Sequence, residues 1–202
     1  MKIDFNYMFS GIISHLGKVA DIQKKDENSV LKINTKNSFL KDTEIGESIA
    51  VNGVCTTVTN IDSDTFSVDI MPETLRLTNL FDLNVEDTIN LEKSLKIGDR
   101  ISGHFVSGHV DSCEEVLSFT KTDDGKILTI SLNEKINKYV PLKGSITING
   151  VSLTVMDVDE KSCSIALIPH TLEETNLGKL EKSDKVNVEV DMIARYLEKI
   201  NK

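Results

Sequence analysis

Apolar and polar side chains alternate or cluster over short spans along most of the chain, and Gly, Asn and Asp close these spans at turn-like intervals. The segments SIAVNGVCTTVTNI (Ser48–Ile61) and KILTISL (Lys126–Leu132), rich in β-branched residues, predict strands rather than helices. NSFLKD (Asn37–Asp42) and NEKINKYV (Asn133–Val140) are short enough to predict only single helical turns. The last twelve residues follow a different period. In DMIARYLEKINK, Ile193, Tyr196, Leu197 and Ile200 fall at i, i+3, i+4 and i+7, which puts one apolar stripe on a helix that starts at Asp191.

The pattern occurs twice. Sliding the chain against itself by 97 residues sets NGVCTTV (Asn52–Val58) on NGVSLTV (Asn149–Val155), MPETLRLTNL on IPHTLEETNL, and INLE on VNVE, without a gap. SGII at Ser10 falls on SGHV at Ser107, and nearly half the positions from Ser48 to Leu80 are identical to their partners. A long period present twice means two copies of one domain, since a solenoid needs shorter and more numerous units. The expected division is an extension at 1–7, a first domain at 8–104, a second at 105–190 and a terminal helix at 191–202, with KIGDRISG as the joint. Several short strands in under a hundred residues predict a small closed barrel in each copy, which leaves no exposed sheet edge.

Composition narrows the function. The 202 residues carry a net charge of -9, which argues against a nucleic-acid partner, because phosphate binding needs clustered Lys and Arg. No apolar run approaches the roughly 20 residues that span a bilayer, and the start lacks a signal-like apolar core. Three cysteines, Cys55, Cys113 and Cys163, form no paired spacing and fit a reducing compartment, so the expected location is cytoplasmic with no membrane partner. No Gly-rich dinucleotide loop follows a strand anywhere in the chain, which is consistent with chemistry that needs no redox cofactor.

Seven motifs in order, MFSGII, VNGVCTTV, MPETLRLTNL, GHFVSGHVD, KGSITINGVSLTV, IPHTLEETNL and VNVEVDMIARYLE, resemble the riboflavin synthase family from Met8 to the C-terminus. The resemblance implies an all-β fold of two tandem six-stranded Greek-key barrels and a C-terminal helix that holds a homotrimer. It also implies the reaction. Two molecules of 6,7-dimethyl-8-ribityllumazine dismutate, one giving a four-carbon unit to the other, to yield riboflavin and a ribitylamino-pyrimidinedione, with each site formed between the first barrel of one subunit and the second barrel of its neighbour.

The residues give that chemistry candidates. A proton must leave the C7 methyl of one substrate and a nucleophile or activated water must add to an electrophilic carbon. His109 stands where the first copy has Ile12, so a barrel of this type does not need it, and acid–base use is set against simple packing. His104 lies earlier in the same segment and reads equally as structural or functional. Cys55 faces Ser152 in the repeat alignment. By itself a small buried cysteine is packing, and a nucleophile only where positive charge lowers its pKa. The resemblance places Cys55 and Ser152 at the lumazine rings. Thr57 and Thr154 share the face of Cys55 and Ser152 and can reach the pyrimidine edge, whereas Thr56, where the family carries an apolar residue and this chain's second copy has Leu153, points the other way.

Further candidates come from the resemblance alone. Phe9, otherwise a core residue, has a family counterpart required for activity, and Lys143, which stands opposite Gly46, has one that contacts substrate. The backbone from Asp69 through Ile70, Met71, Pro72 and Glu73 to Thr74, and from Ala166 through Leu167, Ile168, Pro169 and His170 to Thr171, is expected to line the ring and the ribityl chain, with Pro72 and Pro169 as strand ends. Gly11, Ile12 and Ile13 with Gly108, His109 and Val110, and Thr56 and Leu153 within the central motifs, complete the binding set. His109, Asp111 and Cys113 alternate and on one strand would share a face, but three ligands without a fourth leave zinc behind an incidental polar face, and no metal is expected. The rival function is a non-catalytic lumazine- or flavin-binding antenna built on the same two barrels.

Overall fold

The computed structural model describes residues 8–24 and 29–201, so the expected extension at 1–7 and Lys202 of the terminal helix lie outside the described residues. The first barrel contains β1 (His15–Lys24), β2 (Ser29–Asn34), β3 (Ser48–Val51), β4 (Val54–Ile61), β5 (Thr65–Ile70) and β6 (Thr88–Lys93). It closes antiparallel in the order β1-β2-β5-β4-β3-β6. The second barrel repeats that order with β7 (Ser112–Thr122), β8 (Gly125–Ser131), β9 (Ser145–Ile148), β10 (Val151–Val158), β11 (Ser162–Leu167) and β12 (Lys185–Val190). Both crossovers in each barrel skip over strands, which is the Greek-key connection.

The twice-stated NGV is a turn. Asn52 and Gly53 have φ of 45° and 79°, and Asn149 and Gly150 have 47° and 80°, the two left-handed residues of a type I′ hairpin that joins β3 to β4 and β9 to β10. Alternation does the rest. Val54, Thr56 and Val58 of β4 face the barrel interior while Cys55, Thr57 and Thr59 face out. Bulges bend the strands at equivalent places, between Val19 and Asp21 and between Val116 and Ser118, and again between Val58 and Asn60 and between Val155 and Asp157. A bulge sharpens local twist, which a six-stranded sheet needs in order to close. Each interior is a separate apolar core, centred on Ile33, Phe66 and Leu91 in one barrel and on Leu128, Ile148 and Val188 in the other. Single helical turns α1 (Asn37–Leu40) and α3 (Glu134–Asn137) plug the barrel ends with Phe39, Leu40 and Ile136, as NSFLKD and NEKINKYV foretold.

Pro72 and Pro169 open helices rather than simply ending strands. Each occupies the first turn of α2 (Pro72–Leu77) or α4 (Pro169–Glu174), where its missing N–H costs nothing.

The barrels meet across a twofold pseudo-axis. Phe9 pairs antiparallel with Val106, its own equivalent in the repeat, through N–H···O bonds of 2.8 and 3.1 Å in the two directions, and a residue can meet its own equivalent in this way only on the axis. Gly53 likewise faces Gly150, where an added Cβ would stand 2.5 Å from the Gly150 nitrogen. Six asparagines fill the interface. Asn90 donates from Nδ2 to the Asn149 carbonyl at 2.9 Å and accepts from the Asn176 amide at 2.7 Å. Asn187 does the same to the Asn52 carbonyl and the Asn79 amide at the same distances. The Asn52 and Asn149 side chains in turn accept from the amides of Asn90 and Asn187.

The terminal helix α5 (Met192–Ile200) is capped by the Asp191 carboxylate, which accepts from the Ile193 amide at 2.9 Å. It docks on the second barrel by its polar side, through Glu198 to Lys138 and to the Tyr139 hydroxyl. Ile193, Tyr196, Leu197 and Ile200 are each more than half exposed, with Leu197 bordering a groove shared with Tyr139 and Pro141.

Asn90→Ala strands a buried amide and a buried carbonyl across the interface, at roughly 1–3 kcal/mol each. The expected loss is roughly 2–4 kcal/mol in urea unfolding, and Asn187→Ala should match it within about 1 kcal/mol because the pseudo-axis relates the two. A loss below about 0.5 kcal/mol for either would mean that these amides do not set the barrel orientation.

Candidate functional site

The segments that precede each barrel cross over. The arm Ser10–Ile13, which leads into the first barrel, lies on the second: the Ser152 amide donates to the Gly11 carbonyl at 2.7 Å, and Ile13 packs against the second core. The arm Ser107–Val110, which leads into the second barrel, lies on the first. Here the Cys55 amide donates to the Gly108 carbonyl at 2.9 Å, and Val110 packs against the first core. Gly11 and Gly108 allow the approach, with φ of +76° and +75° and no room for a Cβ, which would stand 2.6 Å from the Cβ of Ser152 and of Cys55 respectively.

Buried carboxylates hold both arms. Glu92 accepts from the Ser10 amide at 2.8 Å, the Ser10 hydroxyl at 2.9 Å and the Gly11 amide at 3.0 Å. Burial pushes its pKa up, and these hydrogen bonds pull against that. Glu189 accepts from the Ser107 amide and hydroxyl at 2.8 and 2.6 Å. Neither glutamate stood among the sequence candidates. The signal available was their equivalence in INLE and VNVE, although alternation puts both at the polar phase of their strands and so reads them as solvent-facing.

Two clusters result, each mixing both copies. The first joins Cys55 and Thr57 on the outer face of β4 to the arm that carries His109, an exposed residue. Phe9 is fully buried behind it with Ala50 and Val106, in contact with Cys55. The second joins Ser152 and Thr154 on the outer face of β10 to Gly11 and Ile12, and it adds His104, whose Nδ1 shares a 2.7 Å hydrogen bond with the Ser152 hydroxyl. The sequence offset groups His109 with the second copy. The crossing puts it beside Cys55, and it is His104 that meets Ser152.

The electrostatics separate the two clusters. Burial lowers the His104 pKa, with the Asp191 carboxylate opposing, so the imidazole is neutral at neutral pH and can accept the Ser152 proton at Nδ1. Such a pair activates a hydroxyl or relays a proton. Cys55 goes the other way. Burial raises its pKa, a hydrogen bond with Ser48 lowers it and the Glu189 charge raises it again, so at neutral pH it is a thiol and not the thiolate a nucleophile requires.

Of the remaining candidates, Thr56 points into the barrel and donates to the Ile49 carbonyl at 2.8 Å, so its side chain is closed to a ligand. Leu153 packs against the second core. Ile70 and Leu167 are buried at strand ends, Asp69 and Ala166 are exposed beside them, and the segments 71–74 and 168–171 form the linkers and first turns of α2 and α4. Lys143 is exposed at φ 63°, where its equivalent Gly46 has φ 95°, and both donate backbone N–H to equivalent carbonyls, those of Val155 and Val58. Among the described residues no hydrogen bond or ion pair ties its ammonium to either cluster. His109 precedes β7 instead of sharing a strand with Cys113. Asp111 is engaged by Arg195 and by the Val190 amide, and burial pushes the Cys113 thiol up to about 11, so the three do not present a ready ligand set.

All three thiols are raised by burial, Cys163 to about 12. Iodoacetamide at pH 7.5 should therefore alkylate the folded protein at least 10-fold more slowly than a free thiol of pKa about 8.5, with the rate climbing above pH 9. Rapid modification of Cys55 at pH 7, read by mass spectrometry, would contradict the burial argument.

Comparison with known proteins agrees with the repeat. Residues 10–94 and 107–191 each match the lumazine binding domain family. The chain is 43% identical to riboflavin synthase of Actinobacillus pleuropneumoniae over 95% of its own length and 88% of the relative's. It is 40% identical to riboflavin synthase of Bacillus subtilis (strain 168) over 94% and 88%. The crystal structure of LumP complexed with 6,7-dimethyl-8-(1'-D-ribityl) lumazine superposes with a TM-score of 0.83 at 27% identity, covering 90% of this chain and 98% of that one. Two lumazine binding domains closed into equivalent barrels, and identity of this extent along nearly the whole chain, place the protein in the riboflavin synthase family.

Proposed function

We propose that the chain is a riboflavin synthase: it converts two molecules of 6,7-dimethyl-8-ribityllumazine into riboflavin and 5-amino-6-(D-ribitylamino)uracil by moving a four-carbon unit from one to the other. The observation that carries the reading is that each lumazine binding barrel presents a proton-handling group at its outer strand. A protein that only bound the ligand would have no use for the half-buried, neutral His104 on the Ser152 hydroxyl or for a histidine at 109 on the arm that meets Cys55. The LumP structure favours the binding reading in fold alone, at lower identity than the synthases.

The chemistry divides between the clusters. The Ser152–His104 pair serves as, or activates, the nucleophile that adds to one lumazine, and Thr154 hydrogen-bonds the ring edge. At the other cluster His109 exchanges the proton of the C7 methyl, and the protonated Cys55 thiol and Thr57 contact the ring. One lumazine is oxidised as the other is reduced, so the atoms and electrons balance between the two substrates without a redox partner. Asp69–Thr74 and Ala166–Thr171, with Lys143, frame the two ribityl chains.

The apolar stripe of α5 is the argument for assembly. A nine-residue helix is marginal alone in water, and here its apolar side is turned outward from the chain that carries it. Burying such side chains is worth roughly 1.5–3 kcal/mol each by transfer before ordering costs. A homotrimer seam covers the stripe and sets the first barrel of one subunit against the second barrel of the next. Among the described residues no helix is long and apolar enough to cross a membrane.

Purified protein given only 6,7-dimethyl-8-ribityllumazine should release one riboflavin per two substrates consumed, with or without a chelator. Tight binding without turnover would move the chain to the antenna class, and loss of activity in chelator would bring back a metal. His109→Ile, which makes the arm at Cys55 resemble the arm at Ser152, should keep the fold and lower kcat by about 10-fold or more. An unchanged kcat would leave His109 as packing. Ile193→Ser with Leu197→Ser should give a folded monomer in analytical ultracentrifugation with most turnover lost, whereas a fully active monomer would mean that both substrates meet within one chain.

A further inference from the structure

The polar side of α5 does more than dock the helix. Arg195 reaches from its first turn to the base of the Ser107–Val110 arm, where one nitrogen, Nη2, donates to the Asp111 carboxylate at 2.6 Å and to the His109 carbonyl at 3.1 Å. The same Asp111 oxygen accepts from the Val190 amide at 2.8 Å, and the Asp111 amide donates to the Val188 carbonyl at 2.8 Å, so the carboxylate is fixed to β12 before the guanidinium meets it. Both partners are largely buried, with side chains 30% and 20% exposed, so this ion pair is less screened than the others at the surface.

The backbone of His109 is therefore held from both sides. The Cys55 amide takes the carbonyl of Gly108, and Arg195 takes the carbonyl of His109 itself. The imidazole projects exposed from a peptide with little freedom to move. The repeat supplies a control. In the other arm the Ser152 amide takes the Gly11 carbonyl in the same way, but the 97-residue offset sets Asp111 and Arg195 on Ser14 and Gly98, so neither member of the ion pair is repeated there. The barrel can be built without this clamp, and it is present only where the arm carries a histidine.

We infer that Arg195 is a positioning residue for His109, and that through it the assembly helix is coupled to one of the two lumazine sites. The helix carries the exposed stripe on one side and the clamp on the other. Covering the stripe with neighbouring subunits fixes the helix, the helix fixes Arg195, and Arg195 fixes the peptide that aims the imidazole. This inference rests on the riboflavin synthase reading, and it has a consequence for deletion experiments: removing α5 takes away the clamp together with the seam, so the resulting loss of activity cannot be assigned to either.

Point variants separate them. Arg195→Ala should remain trimeric in analytical ultracentrifugation and keep KM within about 3-fold, while kcat falls between about 10- and 100-fold, the range expected when a reacting group is misplaced by about an ångström. Added guanidinium at millimolar concentration should restore part of kcat to Arg195→Ala and none to His109→Ile. Arg195→Lys, which keeps the charge but places its one nitrogen differently from Nη2, should fall between wild type and Arg195→Ala. A wild-type rate in Arg195→Ala, a kcat loss matched by loss of the trimer, or equal effects of guanidinium on both variants would overturn the inference while leaving the function in place. Failure of the wild-type protein itself to turn over lumazine would instead remove the functional reading and the inference together.

Discussion

Six buried amide side chains at one interface fix the relation between the barrels. Asn52, Asn79 and Asn90 meet Asn149, Asn176 and Asn187 reciprocally, with each half donating to backbone carbonyls and accepting from backbone amides of the other. A hydrophobic interface of this size would tolerate sliding. Buried amides do not, because a small rotation leaves donors and acceptors unpaired without water to replace the partner, at roughly 1–3 kcal/mol each. The axis is then defined at two further points, where Phe9 pairs with Val106 and Gly53 faces Gly150.

Everything at the site follows from that orientation. With the barrels locked about a twofold axis, each leading arm is delivered to the outer strand of the opposite barrel, where a buried glutamate and a left-handed glycine hold it. Equivalent backbone then presents different chemistry. One strand offers Ser152 with a neutral histidine beneath it, and the other offers a protonated Cys55 with a second histidine on the arm above it. Two equivalent clusters with unlike functional groups suit a reaction in which two copies of one molecule take opposite parts. The exchange of cysteine for serine at the centre of the repeated motif is where that inequality is written, with a thiol raised by burial on one strand and a histidine-bonded hydroxyl on the other.

The terminal helix belongs to the same logic. Its apolar stripe is more than half exposed at every position, and its inward arginine has no counterpart in the first copy. The exposed stripe and the hold on the His109 peptide share one short helix.

Much of this was legible in the sequence. The 97-residue offset established two copies, alternation of β-branched residues established strands, the Asn-Gly pairs lay where the hairpins turn, and the spacing of Ile193, Tyr196, Leu197 and Ile200 established a one-sided helix. These are local signals, written within a few residues or by direct comparison of one segment with another. The offset also picked out Cys55, Ser152 and His109 as positions where the copies differ in chemistry. It could not say which residues touch, because equivalence is not contact. That the His109 arm lies on Cys55, that His104 holds Ser152, that the stripe of α5 is left exposed and that Arg195 clamps the arm are all settled between segments far apart in the chain. Only closure of the two barrels and the amide-locked axis between them bring those segments together.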